Sequence, residues 1–186
     1  MTPSARSGFV LVGGASSRMG RDKALLPLGG ATMVEQIASI VRSAAGNVTL
    51  IGPIHKYVNM GFPIVPDAIE KCGPIGGLYT ALLCSTSDWN LIVACDMPDI
   101  TEPFLKQLLA ASEASDADCV VPEKDGKIHP LCAVYHRRLL PAAESAIHHK
   151  LFKMQDFIST LRAARWPVPD AGPLQNMNTP LEWNAR

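Results

Sequence analysis

Apolar residues come in short dense runs along this chain, and the runs alternate between two spacings. GFVLV (8–12) is a compact apolar run that ends in glycines, which predicts a buried strand. Met33, Val34, Ile37, Ile40 and Val41 then recur at helical spacing behind Thr32, a residue type suited to an N-cap. NVTLIG (47–52) and FPIVP (62–66) read as strands. Behind GPIGG (73–77), Leu78, Ala81 and Leu82 share one helical face. WNLIVAC (89–95) is the most apolar run and predicts a central parallel strand. Thr101, Glu102 and Pro103 open a helix carrying Phe104, Leu105, Leu108 and Leu109. DCVVP (118–122) is a further strand, and Asp125-Gly126 is a tight-turn pair leading into HPLCAVY (129–135). Helical spacing returns over 137–148 and again at Met154, Phe157, Ile158 and Leu161. A last short strand near Trp166 precedes NMNTPLEW (176–183), where Thr179-Pro180 has the form of a helix start.

Strands that alternate with helices predict a mainly parallel sheet covered on both faces, a three-layer αβα, Rossmann-like architecture. The hairpin adds one antiparallel strand, expected at a mixed edge. The 186 residues fit a single domain spanning 1–186, long enough to bury roughly 70% of the unfolded surface. Sheets of this kind bind ligands at the carboxyl ends of their strands, and several polar clusters of this sequence follow a strand directly.

Charge and composition narrow the function classes. Apolar residues make up 47% and charged residues 18%, which excludes a disordered chain. Lys+Arg and Asp+Glu are both 17, so the net charge is zero and a strongly basic nucleic-acid binder is excluded on charge. No run approaches the ~20 apolar residues of a membrane span. GFVLVGG is too short for a signal-peptide core, so a cytoplasmic location is expected. The five cysteines (Cys72, Cys84, Cys95, Cys119 and Cys132) are odd in number and form no C-x-x-C pair. Free thiols in a reducing compartment account for them better than disulfides or zinc.

The most informative stretch is GGASSRMGRDK (13–23). Gly13 and Gly14 end a strand, Ser16 and Ser17 offer hydroxyls and backbone N–H groups, and Arg18, Arg21 and Lys23 place three cations within six positions. Glycines let backbone amides approach phosphate oxygens closely. Arg grips phosphate through paired hydrogen bonds, and Lys acts as a point charge. Together these are parts for a triphosphate site. A Walker A loop is excluded because Gly20 is followed by Arg21-Asp22, and a dinucleotide fingerprint is excluded because the glycine spacing is G-G-x5-G.

Four other positions carry candidate chemistry. Asp96 directly follows the strand LIVAC. It suits Mg²⁺, which takes one or two carboxylates together with phosphate oxygens, or equally a turn ahead of Pro98. Asp67 follows FPIVP and either accepts hydrogen bonds from a base edge or opens an Asx-turn. Gly73, Gly76 and Gly77 precede or begin a helix whose N-terminus faces a ligand, or they allow close helix–sheet packing. Asn176 and Asn178 point the same way in extended chain and offer two amides, unless Asn178 is simply a helix cap. His129 precedes a strand, while His148 and His149 fall at a helix end, and none has zinc-site spacing. No Ser-His-Asp or Cys-His arrangement is legible.

LVGGASSRMGRDKALLPLGG resembles the signature of the molybdenum cofactor guanylyltransferases, within the wider MobA-like NTP transferases. GPIGGL, ACDMPDI, HPLCAVY and NMNTPLEW follow in the family's order, so the resemblance runs through almost the whole chain. Asp22-Lys23-Ala24 matches the guanylyl branch, whereas cytidylyl relatives tend to carry Pro-Lys there. The chain departs from the pattern at Val12, where Ala is usual, and after the second strand, where Gly52 and Pro53 stand in place of a polar residue.

The resemblance implies a nucleotidyltransferase fold and GMP transfer from GTP to the terminal phosphate of molybdopterin-bound molybdenum cofactor, with release of pyrophosphate. It implies nucleotide contacts at Leu11, Val12, Gly13, Gly14, Arg18, Lys23, Asp67 and Asp96. Arg18, Lys23 and Asp96 are the expected catalytic residues, Asp96 the Mg²⁺ ligand, and Gly73, Gly77, Asn176 and Asn178 the acceptor contacts. GTP and molybdopterin are the expected partners, together with other proteins of molybdenum cofactor biosynthesis. The alternative is a relative that uses CTP or another small phosphorylated acceptor.

Overall fold

The structure is a computed structural model, and it describes residues 6–13, 23–28, 30–169 and 172–175. Strand β1 (Arg6–Leu11) comes first, and the described chain resumes in a 3-10 turn at Lys23–Leu25. A two-residue ribbon, β2 (Pro27–Leu28) with β3 (Ala31–Thr32), leads into helix α1 (Met33–Ala45). Thr32 caps that helix as its residue type predicts. Its hydroxyl accepts from the Glu35 amide at 3.4 Å, and the Glu35 carboxylate accepts from the Thr32 amide at 2.8 Å, a reciprocal capping box.

Strand β4 (Thr49–Ile51), the short helix α2 (Ile54–Tyr57) and β5 (Ile64–Val65) follow. Next come α3 (Pro74–Cys84), the fully buried β6 (Trp89–Ala94) and α4 (Glu102–Glu113). Strand β7 (Cys119–Lys124), the two-residue β8 (Lys127–Ile128) and β9 (Cys132–His136) form the antiparallel part. Helices α5 (Leu140–His148) and α6 (Met154–Ser159) and strand β10 (Ala163–Pro167) complete the framework.

The sheet order is β10-β7-β9-β6-β1-β4-β5, with β8 paired to β7. Side chains alternate between its two faces. Val10, Leu50, Leu91, Val93, Val120 and Val134 pack in one cluster with residues of α1 and α4. Phe9, Ile51, Ile92, Val121, Ala133 and Tyr135 pack in another with residues of α3, α5 and α6. The expected αβα layering is therefore present, with a core on each face of the sheet.

The antiparallel strand is not at an edge. Strand β9 lies inside the sheet, antiparallel to β6 (Ile92↔Ala133) and to β7 (Cys119↔Tyr135). Its run Cys132–Tyr135 is buried at every position, and a strand apolar on both faces needs neighbours and helices on all sides. The Asp125-Gly126 turn closes only the short β7–β8 arm, and β9 begins three residues later than the sequence pattern predicts. Among the described residues no helix is long and apolar enough to cross a membrane. The cysteines are free thiols, with Cys72, Cys119 and Cys132 buried and Cys84 exposed. Burial, with the Asp118 charge beside it, pushes the Cys119 thiol up to about 12, so it stays a protonated core residue.

Candidate active site

Strands β1, β4, β5 and β6 run parallel and end level with one another. Leu11 is in register with Ala94 of β6 and with Ile51 of β4, and Ile51 with Val65 of β5. Four turns therefore emerge side by side. The Val12 amide donates to the Ile51 carbonyl at 2.8 Å, the Gly52 amide to Val65 at 3.0 Å, and the Cys95 amide to Leu11 at 3.2 Å. From β1 the chain passes to β4 on one side, while β6 lies on the other. The reversal of strand order falls between β1 and β6, the crevice where open α/β sheets bind ligands.

The turn after β1 forms one lip of that crevice. Val12 is buried, and Gly13 is exposed with φ of +95°. Gly14 and Arg18 lie outside the described residues. The chain is caught again at Lys23–Leu25 by Ala24, only 1% exposed in the core. The Leu11 side chain points to α3, where a side chain on Gly77 would meet it at 2.9 Å. The buried Gly77 thus allows α3 to lie close on β1. Gly73 is the exposed N-cap of α3, with φ of +61°.

The other lip is the turn after β6. Met97 and Ile100 are each 2% exposed and hold it down, with the Ile100 amide donating to the Met97 carbonyl at 3.2 Å. Asp96 is half-buried between the strand and these anchors, and its Oδ1 is shielded from solvent. Asp99 sits in the same turn, ahead of the extended N-cap Thr101. Among the described residues no group of three or more His, Cys, Asp or Glu could hold a metal ion. Among the described residues the hard oxygen donor this turn offers is the half-buried Asp96 carboxylate. That fits Mg²⁺, which keeps waters and shares phosphate oxygens, rather than a metal that needs an all-protein cage.

Asp67 begins the loop after β5. Partial burial holds its carboxyl above the ordinary range, against a hydrogen bond from its own amide and aided by the Glu70 charge. The next peptide is tied to α3, since the Ala68 amide donates to Thr80 Oγ1 at 3.0 Å. His129 also reaches this end of the sheet. Its amide donates to Pro122 at 2.9 Å, its carbonyl accepts from Cys132 at 3.1 Å, and the Ala94 amide at the end of β6 donates to neighbouring Leu131 at 2.7 Å. Burial, then the Lys127 charge, lowers the His129 pKa and favours its neutral ring. His148 and His149 fall at the end of α5, as their spacing predicts. Asn176 and Asn178 lie outside the described residues, as does the Thr179-Pro180 helix start.

The sequence left Thr80 and Gly52 unassigned. A threonine inside an apolar helical face was the available signal for Thr80. For Gly52 it was a Gly-Pro pair after a strand, but neither reveals its partner.

A mainly parallel αβα sheet with a glycine-rich lip and a shielded carboxylate across its switch point is the architecture of a nucleotide-handling α/β enzyme. The chain belongs to the MobA-like NTP transferase family, whose model matches residues 8–166, and it is a nucleotidyltransferase. A probable molybdenum cofactor guanylyltransferase of Flavobacterium johnsoniae is 33% identical over 81% of this chain and 79% of its own length. Another from Pelotomaculum thermopropionicum is 32% identical over 84% and 76%. The fold is shared with molybdopterin-guanine dinucleotide biosynthesis protein A of Archaeoglobus fulgidus, at TM-score 0.83, 22% identity, and 96% and 95% coverage of the two chains. It is also shared with a Mycobacterium tuberculosis protein solved in complex with manganese, at TM-score 0.71, 16% identity and 97% coverage of each chain.

Proposed function

We propose that this protein transfers GMP from GTP to the terminal phosphate of molybdopterin-bound molybdenum cofactor, forming the guanine dinucleotide form and releasing pyrophosphate. The observation that carries the reading is the register of Leu11 with Ala94, which sets the glycine lip and Asp96 on the two sides of one crevice. The guanylyltransferase relatives supply the substrate class.

An acceptor phosphate oxygen attacks the α-phosphorus of GTP. The new O–P bond forms in line as the bond to the β-phosphate oxygen breaks, and pyrophosphate carries away the bonding pair. The acceptor phosphate is ionised at neutral pH, so no side chain has to remove a proton. The protein's part is positioning and charge neutralisation. Backbone amides of the turn at Gly13 and Gly14 meet phosphate oxygens, and Arg18 and Lys23 offset the charge that grows on the departing pyrophosphate. Asp67 contacts the nucleotide from the neighbouring turn. Asp96 would hold Mg²⁺, whose chemistry here is neutralisation of phosphate oxygens. Gly73, Asn176 and Asn178 are assigned to the acceptor side, whereas the buried Gly77, expected there from the sequence, instead serves the packing of α3 on β1.

Thermal unfolding with each of the four NTPs and Mg²⁺ tests base choice without the labile acceptor. A nucleotide at 100 times its Kd adds about 2.7 kcal/mol of stability. GTP is expected to raise Tm more than ATP, CTP or UTP. A larger shift with CTP would reassign the base, and no shift with any NTP would remove the proposal.

A further inference from the structure

Thr80 stands in the middle of α3 and is completely buried, yet it touches the loop that carries Asp67. Its hydroxyl donates to the Gly76 carbonyl one turn earlier at 2.8 Å. A hydroxyl bonded back into its own helix is normally spent there. Here a lone pair on the same oxygen accepts the Ala68 amide at 3.0 Å, so one buried atom joins the helix to the loop. The amide it holds belongs to the Asp67–Ala68 peptide. Fixing that peptide plane fixes the backbone on one side of Asp67, and with it the direction in which the carboxylate leaves the chain.

The loop needs such a tie. It spans the end of β5 and the start of α3, its residues 66–71 are exposed, and Lys71 and Gly73 both have φ of +61°. Exposed residues contribute little packing to hold a single conformation, and a left-handed lysine costs rather than adds stability. A part-buried hydrogen bond from a rigid helix supplies a directional restraint at the Asp67–Ala68 peptide.

We infer that Thr80 is a positioning residue for nucleotide binding: it holds the Asp67 turn in the orientation that meets the nucleotide. This rests on the reading of Asp67 as a nucleotide contact. Thr80 itself touches no substrate.

Thr80→Val keeps the shape and removes the acceptor, while Thr80→Ser keeps the acceptor and removes a methyl group. Steady-state pyrophosphate release on the full chain is expected to show KM for GTP raised about 5- to 20-fold in Thr80→Val, with kcat within about twofold. Thr80→Ser should return KM to within about twofold of wild type. In an Asp67→Ala background, Thr80→Val should add less than twofold, because the two act through one contact. Wild-type KM in Thr80→Val, alongside a raised KM in Asp67→Ala, would overturn the role of Thr80. Wild-type KM in Asp67→Ala would instead overturn the reading of Asp67 beneath it. If Thr80→Val does not fold, the wild-type protein still decides: the Ala68 amide proton should be protected from solvent exchange, and exchange at the rate of an open loop would refute the tie.

Discussion

A β-carbon added to Gly52 would fall 1.9 Å from the carbonyl oxygen of Val12. The turn after β4 thus lies directly beneath the turn after β1, and Pro53 continues the contact, since a side chain on Gly13 would meet it at 2.9 Å. The atom nearest the carbon added at Gly52 is a backbone atom of Val12, so no flexible side chain can move away to relieve that contact. The glycine lip of the crevice is held in place from below.

Gly52→Ala should therefore displace Val12 and Gly13. The expected loss of stability is at least about 2 kcal/mol, the upper part of the range for forcing an extra carbon into packed structure. At this chain length that corresponds to a fall in Tm of roughly 5 °C or more. KM for GTP should rise with it. Gly46→Ala is the control: φ is +87° but nothing lies within 4 Å of the added carbon, so only a backbone cost of about 1–2 kcal/mol applies and KM should not move. Differential scanning fluorimetry with GTP titration compares the two.

Asp96→Asn keeps the shape of the side chain and removes its charge. Pyrophosphate release should fall by about 10²–10³-fold, corresponding to roughly 2–4 kcal/mol of barrier, with Tm little changed. Wild-type activity should vanish in chelator and return on adding Mg²⁺. An Asp96→Asn protein that turns over at the wild-type rate would remove the carboxylate from the mechanism.

Lys23→Ala and Arg18→Ala should each lose turnover far more than stability, again by roughly 2–4 kcal/mol of barrier. Their unfolding midpoints should stay near wild type. Loss of stability in proportion to loss of rate would assign these cations to the fold instead.

Acid stability should depend on Asp118, far from the crevice at the start of β7. Arg138 Nε meets its Oδ1 at 2.7 Å, and Arg162 donates to it from both side chain and backbone. Burial raises the carboxyl pKa, but the hydrogen bonds from Arg162 and Arg138 outweigh it and the net direction is down. The stabilisation is then fully present above the unfolded value of about 3.9 and is lost as pH falls through the lower folded value. Asp118→Asn should unfold more easily at pH 7 by about 1 kcal/mol and lose less further stability than wild type as the pH falls below about 4. Urea melts at stepped pH measure both.

Much of this fold was legible because its signals are local. Thr32 and Glu35 form the box that starts α1, and the run Trp89–Ala94 is buried at every position. The β2–β3 ribbon was missed although Gly29-Gly30 is a hairpin signal, because two-residue strands leave no period to count. The position of β9 was misjudged for a different reason. The Asp125-Gly126 turn announces a hairpin but does not say which strand its chain will pair with next. That choice was made by burial of Cys132–Tyr135 between β6 and β7.

The amino-acid order alone set the inventory: which segments are strands or helices, which carry glycines, cations and carboxylates, and that Asp96 directly follows a buried strand. These properties depend on neighbours a few residues apart. Only the tertiary structure decided that Val12, Gly52, Asp67 and Asp96, on four separate strand ends, share one end of the sheet, with Thr80 beneath Asp67. That adjacency comes from strand order and register. Both are fixed by burying the two apolar faces of the sheet at once, a condition that involves the whole core and that no single stretch of sequence expresses.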